Sequence, residues 1–221
     1  MLIGVPKEIK TQEYRVGLVP SSVKELVANG HQVLIETNAG AAINFTDKDY
    51  QQAGAKIAGS AKEVFDKADM IVKVKEPQAK EIAMLRENQI LFTYLHLAAD
   101  PEQAKGLMES GCVAIAYETV TSKDGYTLPL LQPMSEIAGR LSVQVGAHYL
   151  MKHKGGTGRL IGGVPGVKPA EVLILGGGVS GFHAAQMATG MGANVTILER
   201  SNERMRFLDE YFHGRANIIY S

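Results

Sequence analysis

The sequence predicts an α/β fold that consists of two parallel-sheet units joined by one long helix. Short apolar runs alternate with helical patterns along most of the 221 residues, and this alternation is typical of parallel sheets covered by helices. It is interrupted once, by a long helical pattern followed by a glycine-rich loop. We therefore predict two Rossmann-like domains, residues 1–132 and 133–221, with the long helix at the start of the second.

The first domain is predicted from five apolar runs and the helical segments between them. The runs have lengths typical of buried strands and cover residues 2–5, 32–36, 70–74, 89–95 and 113–117. Helical patterns lie between them at residues 21–29, 60–68, 77–86 and 101–110. Gly30 and Gly111 follow two of these helices, and Pro77 and Pro101 begin two of them, as is usual at helix ends.

The second domain begins with the long helix, from Ser135 to about Lys152. Apolar residues recur there on one helical face, at Ile137, Leu141, Val145 and Tyr149. Residues 155–169 have glycine or proline at eight positions and are predicted to form a loop. Strands at 171–176, 194–199 and 216–221 then alternate with helices at 179–190 and 202–212.

The composition excludes several classes of protein. The 23 Lys and Arg residues balance 23 Asp and Glu residues, so no excess of basic charge favours nucleic acid or an anionic membrane. No apolar run approaches the roughly 18 residues of a spanning helix, and the first ten residues do not resemble a signal peptide. The single cysteine, Cys112, is interpreted as a small buried hydrophobe at the start of a strand. We expect a cytoplasmic protein without nucleic-acid or membrane partners, and we identify no metal site.

A glycine pattern at the start of the second sheet predicts a nucleotide site. Gly176, Gly178 and Gly181 have the spacing G-x-G-x-x-G, directly after an apolar strand and at the start of a helix. In this context the first glycine allows a tight turn, the second lets a pyrophosphate approach the backbone, and the third lets the helix pack closely. The alternative is a glycine turn that serves packing alone. The strand-loop-helix context favours a dinucleotide.

The acidic residue after the next strand predicts which dinucleotide binds. Glu199 follows Gly181 by eighteen residues, where a carboxylate accepts hydrogen bonds from the adenosine ribose and repels a 2′-phosphate. NAD is therefore favoured over NADP. Arg200 favours NADP instead, because a guanidinium at this point can bind the 2′-phosphate.

Four ionisable residues follow strands of the first sheet. They are Arg15, Lys75, His96 and Glu118. Ligands of open parallel sheets bind beyond the carboxyl ends of the strands, so these side chains are candidates for one site. Arg15 would clamp a carboxylate, Lys75 would polarise or hold a carbonyl oxygen, and His96 would transfer a proton.

Each candidate has a simpler interpretation. Arg15 alone is more often a solvated loop charge, and Lys75 has the same strand parity as Lys73, so both could mark a polar strand face. His96 in an apolar segment is more often a structural histidine. Glu118 could pair with one of the cations. The spacing supports a site without deciding its reaction.

Several longer motifs closely resemble the L-alanine dehydrogenase family. They are IGVPKEIKTQEYRVGLVP, VKVKEP, ILFTYLHLAAD, AYETV, LPLLQPMSEIAGRLSVQVGA and GGVPGVKPAEVLILGGGVSG. The resemblance runs from residue 1 to the end of the chain. It implies reversible, NAD-dependent oxidative deamination of L-alanine to pyruvate and ammonium, in L-alanine catabolism, by a homohexameric oxidoreductase.

The resemblance also implies residue roles. Arg15 matches the family's carboxylate-binding arginine, Lys75 its substrate lysine and His96 its catalytic acid or base. Glu199 stands where aspartate is familiar in the family, and its longer side chain moves the carboxylate by about one methylene. The implied cofactor contacts are Ser135, Gly176, Gly178, Val179, Ser180, Gly181, Glu199, Arg204 and Ser221.

Two relatives and one non-enzyme function are the alternatives. The NAD-binding part of proton-translocating transhydrogenase is similar in fold but lacks the lysine and histidine found here in KVKEP and FTYLHLA. Lysine-forming saccharopine dehydrogenase is more distant. Only the adenosine half of a dinucleotide fold is expected in these residues, so we predict little turnover by this chain alone. An NAD-binding module without catalysis is the non-enzyme alternative.

Overall fold

The computed structural model describes residues 1–123 and 125–221 and divides them into two compact units. The first unit is Met1–Val120 and the second is Thr121–Ser221. The division lies before the boundary that the sequence suggests after residue 132. Residues 125–131 therefore belong with the long helix rather than with the first sheet.

A six-stranded, entirely parallel sheet forms the first unit. Its spatial order is β3-β2-β1-β4-β5-β6, the order of a complete doubly wound fold. The strands are β1 (Leu2–Val5), β2 (Gln32–Glu36), β3 (Lys56–Ala58), β4 (Met70–Val72), β5 (Ile90–Thr93) and β6 (Val113–Ala116). The order reverses between β1 and β4, so the chain segments after these two strands lie side by side.

Five helices connect these strands. They are α1 (Pro20–Ala28), α2 (Asp47–Gln52), α3 (Ala61–Lys67), α4 (Ala79–Ile82) and α5 (Pro101–Ser110). The sequence pattern did not predict α2 and β3, which are too short for a clear period. The helix predicted after Pro77 was too long, because Gln78 is the N-cap and α4 has four residues.

Both faces of the first sheet are buried at its central strands, as expected for a parallel sheet, whereas the edge strand β6 is largely exposed. Val33 and Ile35 of β2 pack into one apolar cluster, whereas Leu34 between them packs into a second cluster. This alternation follows the two-residue period of a strand. Cys112 packs against the second cluster but is only half-buried and lies immediately before β6, so the prediction of a buried residue that opens the strand holds only in part.

The second unit contains a three-stranded parallel sheet in the order β7-β8-β9. Its elements are α6 (Gln132–Tyr149), β7 (Glu171–Leu175), α7 (Val179–Gly190), β8 (Asn194–Glu199), α8 (Asn202–Phe212) and β9 (Ala216–Tyr220). Residues 155–169 contain no helix or strand, only one isolated bridge between Val164 and Val167. The predicted loop is confirmed.

The long helix α6 packs through a different face from the one its apolar pattern suggests. Ile137 and Leu141 on that pattern are 55% and 50% exposed. Gly139 and Val143 are the buried residues instead. A β-carbon at Gly139 would lie 2.1 Å from the carbonyl oxygen of Ser180, so the glycine permits close contact between α6 and α7.

In the described part of the chain, no helix combines the length and the hydropathy needed to cross a membrane.

Candidate active site

The carboxyl ends of four neighbouring strands carry the ionisable residues predicted from the sequence. Arg15 follows β1, Lys75 follows β4, His96 follows β5 and Glu118 follows β6. These strands are adjacent in the sheet, in the order β1-β4-β5-β6. The topology therefore places all four residues at one edge of the first unit.

Arg15 is held by a carboxylate two residues earlier in the chain. Its Nε donates to Oε1 of Glu13 at 2.9 Å, and its Nη2 donates to Oε2 at 2.7 Å. This pairing holds the pKa of Glu13 below its usual range and that of Arg15 above it. The Arg15 side chain remains 48% exposed. Arg15 is therefore an oriented guanidinium and not a solvated loop charge.

Close backbone packing fixes the loop that carries Arg15. A β-carbon at Gly17 would lie 2.6 Å from the carbonyl oxygen of Val72, the last residue of β4. Only glycine allows this approach without a shift of the backbone. The loop after β1 therefore lies directly against the strand end that leads to Lys75.

Lys75 is partly buried among other charges. Its side chain is 23% exposed, and its Nζ lies 3.3 Å from Oε2 of Glu76. Burial lowers the pKa of Lys75, and the nearby charges of Lys10 and Arg15 lower it further. The influence of Arg15 on this pKa indicates that the two cations face the same region.

Lys73, two residues before Lys75, is buried and does not mark a polar strand face. Its Nζ donates to Oε1 of Glu81 at 2.7 Å and to Oε2 of Glu8 at 3.1 Å. All three side chains are at most 3% exposed. Glu8 also accepts the backbone N–H of Val74 at 2.7 Å. This buried ion cluster joins the loop after β1 to the backbone that carries Lys75.

His96 is exposed and has an unusual backbone conformation. Its φ of 51° lies in the left-handed region, which non-glycine residues rarely adopt. Its ring stacks on Tyr94, with ring centroids 6.1 Å apart and planes inclined by 18°. An exposed ring at a strand end is a poor match for a structural histidine of the core.

Glu118 does not pair with a cation among the described residues. Its carboxylate accepts the backbone N–H of His96 at 2.7 Å and that of Leu95 at 3.1 Å. The alternative that it neutralises one of the cations is wrong. Glu118 instead holds the backbone of the turn after β5.

Two site residues, Glu13 and Tyr94, were not predicted from the sequence. Tyr94 packs edge-to-face on Tyr117, with ring centroids 4.9 Å apart. Burial raises the pKa of the Tyr94 hydroxyl, and Arg15 partly offsets that effect. Tyr94 thus contacts His96 and is close enough to Arg15 for that charge to act on its hydroxyl. The available signal was that Tyr94 follows the same strand as His96, since β5 ends at Thr93.

Three observations connect the segments that carry the predicted residues. The positive charge of Arg15 lowers the pKa of Lys75, and the ring of Tyr94 stacks on that of His96. Thr93 Oγ1 also donates to the carbonyl oxygen of Lys75 at 2.9 Å, and this hydrogen bond connects β5 to the segment that follows β4. Two cations and an imidazole at one sheet edge are groups suited to a small anionic substrate that exchanges a proton.

The glycine loop of the second unit has the geometry of a phosphate cradle. Gly176 has a φ of 92°, and a β-carbon at Gly181 would lie 1.9 Å from the carbonyl oxygen of Gly176. At Gly178, by contrast, a β-carbon would meet nothing within 4 Å. No side chain caps the N-terminus of α7. The loop therefore leaves open space in front of helix amides that attract anions.

Glu199 is bound to the glycine loop itself. Its Oε2 accepts the backbone N–H of Gly177 at 2.7 Å, and its Oε1 accepts those of Arg200 and Ser201 at 2.7 and 2.9 Å. These hydrogen bonds lower the pKa of Glu199, so the carboxyl group is ionised at neutral pH. The side chain of glutamate is longer than that of aspartate, so the carboxylate of Glu199 reaches the backbone N–H of Gly177 and holds the loop in place.

The other predicted cofactor residues lie around this loop. Arg204 Nε donates to the carbonyl oxygen of Gly177 at 2.6 Å, and its guanidinium lies 4.4 Å from the Phe207 ring centroid. Ser180 Oγ donates to the carbonyl oxygen of Ser135 at 3.0 Å, which brings the start of α6 to the start of α7. Ser221 follows β9 and donates its N–H to the carbonyl oxygen of Glu199.

Comparison with known proteins identifies the family. The model of the alanine dehydrogenase/PNT N-terminal domain matches residues 4–138, and that of the C-terminal domain matches residues 142–221. The chain belongs to the alanine dehydrogenase/PNT family. The two domain matches together cover nearly the whole chain, and the resemblance found in the sequence motifs is confirmed.

Several relatives match the chain over its whole length. Proteins named alanine dehydrogenase from Methanococcus maripaludis and Bacillus subtilis are each 54% identical over all of this chain. A solved structure named L-alanine dehydrogenase is 56% identical, with a TM-score of 0.90 over 100% of the chain. The chain spans 59% and 58% of the two curated relatives, and 61% of the solved chain.

A solved transhydrogenase from Sinorhizobium meliloti is similar in fold. Its TM-score is 0.79 over 99% of this chain and 64% of its own, at 23% identity. At this identity the likeness concerns the fold alone.

Proposed function

We propose that this chain is the substrate-binding and adenosine-binding portion of an NAD-dependent L-alanine dehydrogenase. The reaction is the reversible oxidative deamination of L-alanine to pyruvate and ammonium. The observation that carries the proposal is the cluster of Arg15, Lys75 and His96 at one sheet edge, in a chain of this family. The identity to relatives named alanine dehydrogenase supports the substrate.

The substrate carboxylate binds to the guanidinium of Arg15. Glu13 fixes the plane of that guanidinium through two hydrogen bonds, and Lys10 and Lys75 add positive charge nearby. A carboxylate bound there gains charge-assisted hydrogen bonds, which are about twice as strong as neutral ones. The α-carbon of the bound substrate then lies toward Lys75 and His96.

Lys75 and His96 act on the reacting groups. Lys75 donates a hydrogen bond to the carbonyl oxygen of pyruvate, and its ammonium stabilises negative charge that develops there. His96 takes a proton from water as it adds to the imine carbon and passes that proton to the amino nitrogen of the carbinolamine, whose C–N bond then breaks to release ammonium and form the carbonyl of pyruvate. Bound NAD would supply the acceptor for the hydride of the α-carbon, held by the glycine loop and Glu199. The products are pyruvate, ammonium and the reduced cofactor.

The second unit fits the adenosine half of the cofactor. The open space at Gly178 and the uncapped amides of Val179, Ser180 and Gly181 suit the pyrophosphate. The ionised carboxylate of Glu199 favours ribose hydroxyls over a 2′-phosphate. Ser135, Arg204 and Ser221 border the same loop and complete the proposed contacts.

We also propose a homohexameric enzyme of the cytoplasm that binds neither nucleic acid nor membranes. The equal numbers of acidic and basic residues support the absence of a polyanionic partner. Exposed apolar side chains on α6, such as Ile137 and Leu141, support an assembled state.

Isothermal titration calorimetry tests the proposed function. We expect separate binding of pyruvate, which depends on Arg15, and of NAD, which depends on the glycine loop. NAD binding without pyruvate binding would favour a nucleotide-binding module without catalysis. Binding of neither would contradict both functions.

A further inference from the structure

Glu118 accepts two successive backbone hydrogen bonds from the turn that carries His96. Oε1 lies 2.7 Å from the nitrogen of His96 and 3.1 Å from that of Leu95, and Oε2 lies 3.2 Å from the nitrogen of Leu95. These N–H groups lie beyond the end of β5, where no strand partner accepts them. The carboxylate replaces the missing strand at this point.

Strand register brings Glu118 to this position. Thr93 of β5 pairs with Ala116 of β6, so the residues two positions later, Leu95 and Glu118, lie side by side. A 3-10 turn at Tyr117–Thr119 ends β6, and Thr119 Oγ1 bonds to the carbonyl oxygen of Ala116 at 3.0 Å. The Glu118 side chain therefore points across the sheet end and not along its own strand.

The hydrogen bonds that Glu118 accepts lie at a residue with an unfavourable backbone conformation. His96 has a φ of 51°, and a left-handed conformation is unfavourable for a residue that has a β-carbon. Hydrogen bonds to a charged acceptor are stronger than those between neutral groups, and two of them act on this turn. Without them, an ordinary right-handed conformation at His96 would turn the imidazole away from Tyr94.

We propose that Glu118 is a positioning residue that holds the His96 backbone in the left-handed conformation and thereby aims its imidazole at the substrate. This inference rests on the proposed function, because it assumes that His96 acts on the substrate. Glu118 acts only through its hydrogen bonds with the main chain of the turn. The reaction therefore requires the negative charge and the length of the Glu118 side chain, but no contact between Glu118 and alanine.

Nuclear magnetic resonance of the full 221-residue chain tests the proposal directly. In the parent we expect a strong intraresidue HN–Hα cross-peak at His96, as a positive φ produces, and downfield amide protons at residues 95 and 96. Cross-peaks between the rings of Tyr94 and His96 are also expected. Glu118→Gln should weaken all three signals, because the neutral amide oxygen of glutamine accepts these backbone N–H groups less strongly than a carboxylate does. Glu118→Asp should retain part of them.

Pyruvate binding supplies the functional readout, with Glu109→Gln as control. Glu109 is an exposed carboxylate on α5 of the same unit. We expect Glu118→Gln to weaken pyruvate binding about tenfold, the loss of one good hydrogen bond, and Glu109→Gln to leave it unchanged. Loss of a negative charge alone would strengthen the binding of an anion, so a weaker affinity identifies a positioning effect.

The outcomes separate this inference from the proposed function. A parent chain that does not bind pyruvate contradicts the proposed function, whereas the signals at residues 95 and 96 still test the role of Glu118. Absence of those signals from the parent overturns the inference. So does a Glu118→Gln variant in which the signals weaken while pyruvate binds as it does to the parent. If that variant does not fold, Glu118→Asp must show partial loss of both signals and affinity.

Discussion

The guanidinium of Arg15 and the carboxylate of Glu13 form a two-point ion pair, although only Tyr14 separates them in sequence. The loop after β1 turns so that both side chains face the same region. Glu13 thus fixes the plane of the guanidinium and leaves part of its positive charge for a ligand. Under the proposed function Arg15 binds the substrate carboxylate, and lysine would not preserve the geometry that Glu13 gives the guanidinium.

Arg15→Lys is expected to weaken pyruvate binding about tenfold or more, although it keeps the charge. Lysine provides a point charge, whereas arginine provides a planar fork that matches a carboxylate, and one good charge-assisted hydrogen bond corresponds to about a tenfold change in affinity. Arg206→Lys, at an exposed position of α8, is the control for the same substitution. Equal affinity of Arg15→Lys and the parent, measured by calorimetry, would show that the fork is not used.

Pyruvate binding should weaken at alkaline pH because Lys75 loses its proton. Burial and the charges of Lys10 and Arg15 lower the pKa of Lys75 from its ordinary value of 10.5. The bound anion favours the charged form, so affinity is highest below the lowered pKa and falls as the pH rises through it. Calorimetric titrations between neutral pH and pH 10.5 should show this decline in the parent and not in Lys75→Met. A decline of the same size in both proteins would assign the titration to another group.

Removal of Lys73 should destabilise the first unit strongly. Lys73→Met leaves the carboxylates of Glu8 and Glu81 buried without their cation, at a cost of about 3 to 5 kcal/mol of unfolding free energy. The combined change of Lys73→Met, Glu8→Gln and Glu81→Gln should recover much of this loss, because it buries no charge. Urea unfolding measures the free energy of unfolding of Lys73→Met and of the triple variant. A triple variant less stable than Lys73→Met would contradict an electrostatic origin of the effect.

The same Lys73→Met variant should become more stable as the pH falls from 7 to 5. Burial raises the pKa of Glu81 even in the parent, and loss of Lys73 removes a charge that opposes this shift. A carboxyl group with a raised pKa in the folded state binds protons more readily than in the unfolded state, so its cost to stability decreases as the pH falls. Urea midpoints at the two pH values check the sign, and Lys62→Met on the exposed face of α3 is the control.

Glu199→Gln should shift nucleotide preference toward a 2′-phosphate. The ionised carboxylate repels that phosphate, and glutamine removes the charge while its oxygen still accepts one backbone N–H. The preference for ADP over 2′,5′-ADP should fall about tenfold, equivalent to about 1.4 kcal/mol. Glu203→Gln, on the first turn of α8, controls for loss of a nearby negative charge. Unchanged preference in Glu199→Gln would assign discrimination to other residues.

Most of the sheet architecture could be predicted from the sequence, because buried strands are continuous apolar runs. The strand β3 and the helix α2 could not, since three and six residues are too few to establish a period. On α6 the pattern suggested the wrong buried face. Gly139 has no side chain and therefore adds nothing to an apolar pattern. The absence of a β-carbon nevertheless allows the close contact with α7 that determines the buried face.

The sequence was sufficient to predict which strand ends carry the candidate site residues. Arg15, Lys75 and His96 each follow an apolar run that forms a strand, and the rule that ligands of open sheets bind beyond the carboxyl ends of strands selects them. The hydrogen bonds of Glu13 and Glu118 were not predictable, because each depends on how a loop turns after its strand. The different roles of Lys73 and Lys75 were hidden for a similar reason: β4 ends at Val72, so strand parity no longer applies to either lysine.

The most direct test of the central claim is a titration with pyruvate that observes the side chains of Arg15, Lys75 and His96 by nuclear magnetic resonance in one sample. If the three groups bind one keto acid, the Nε of Arg15, the Nζ of Lys75 and the imidazole of His96 will shift together and fit a single dissociation constant. Shifts that follow different constants, or a site in which one of the three signals does not respond, would contradict a common substrate site at this sheet edge.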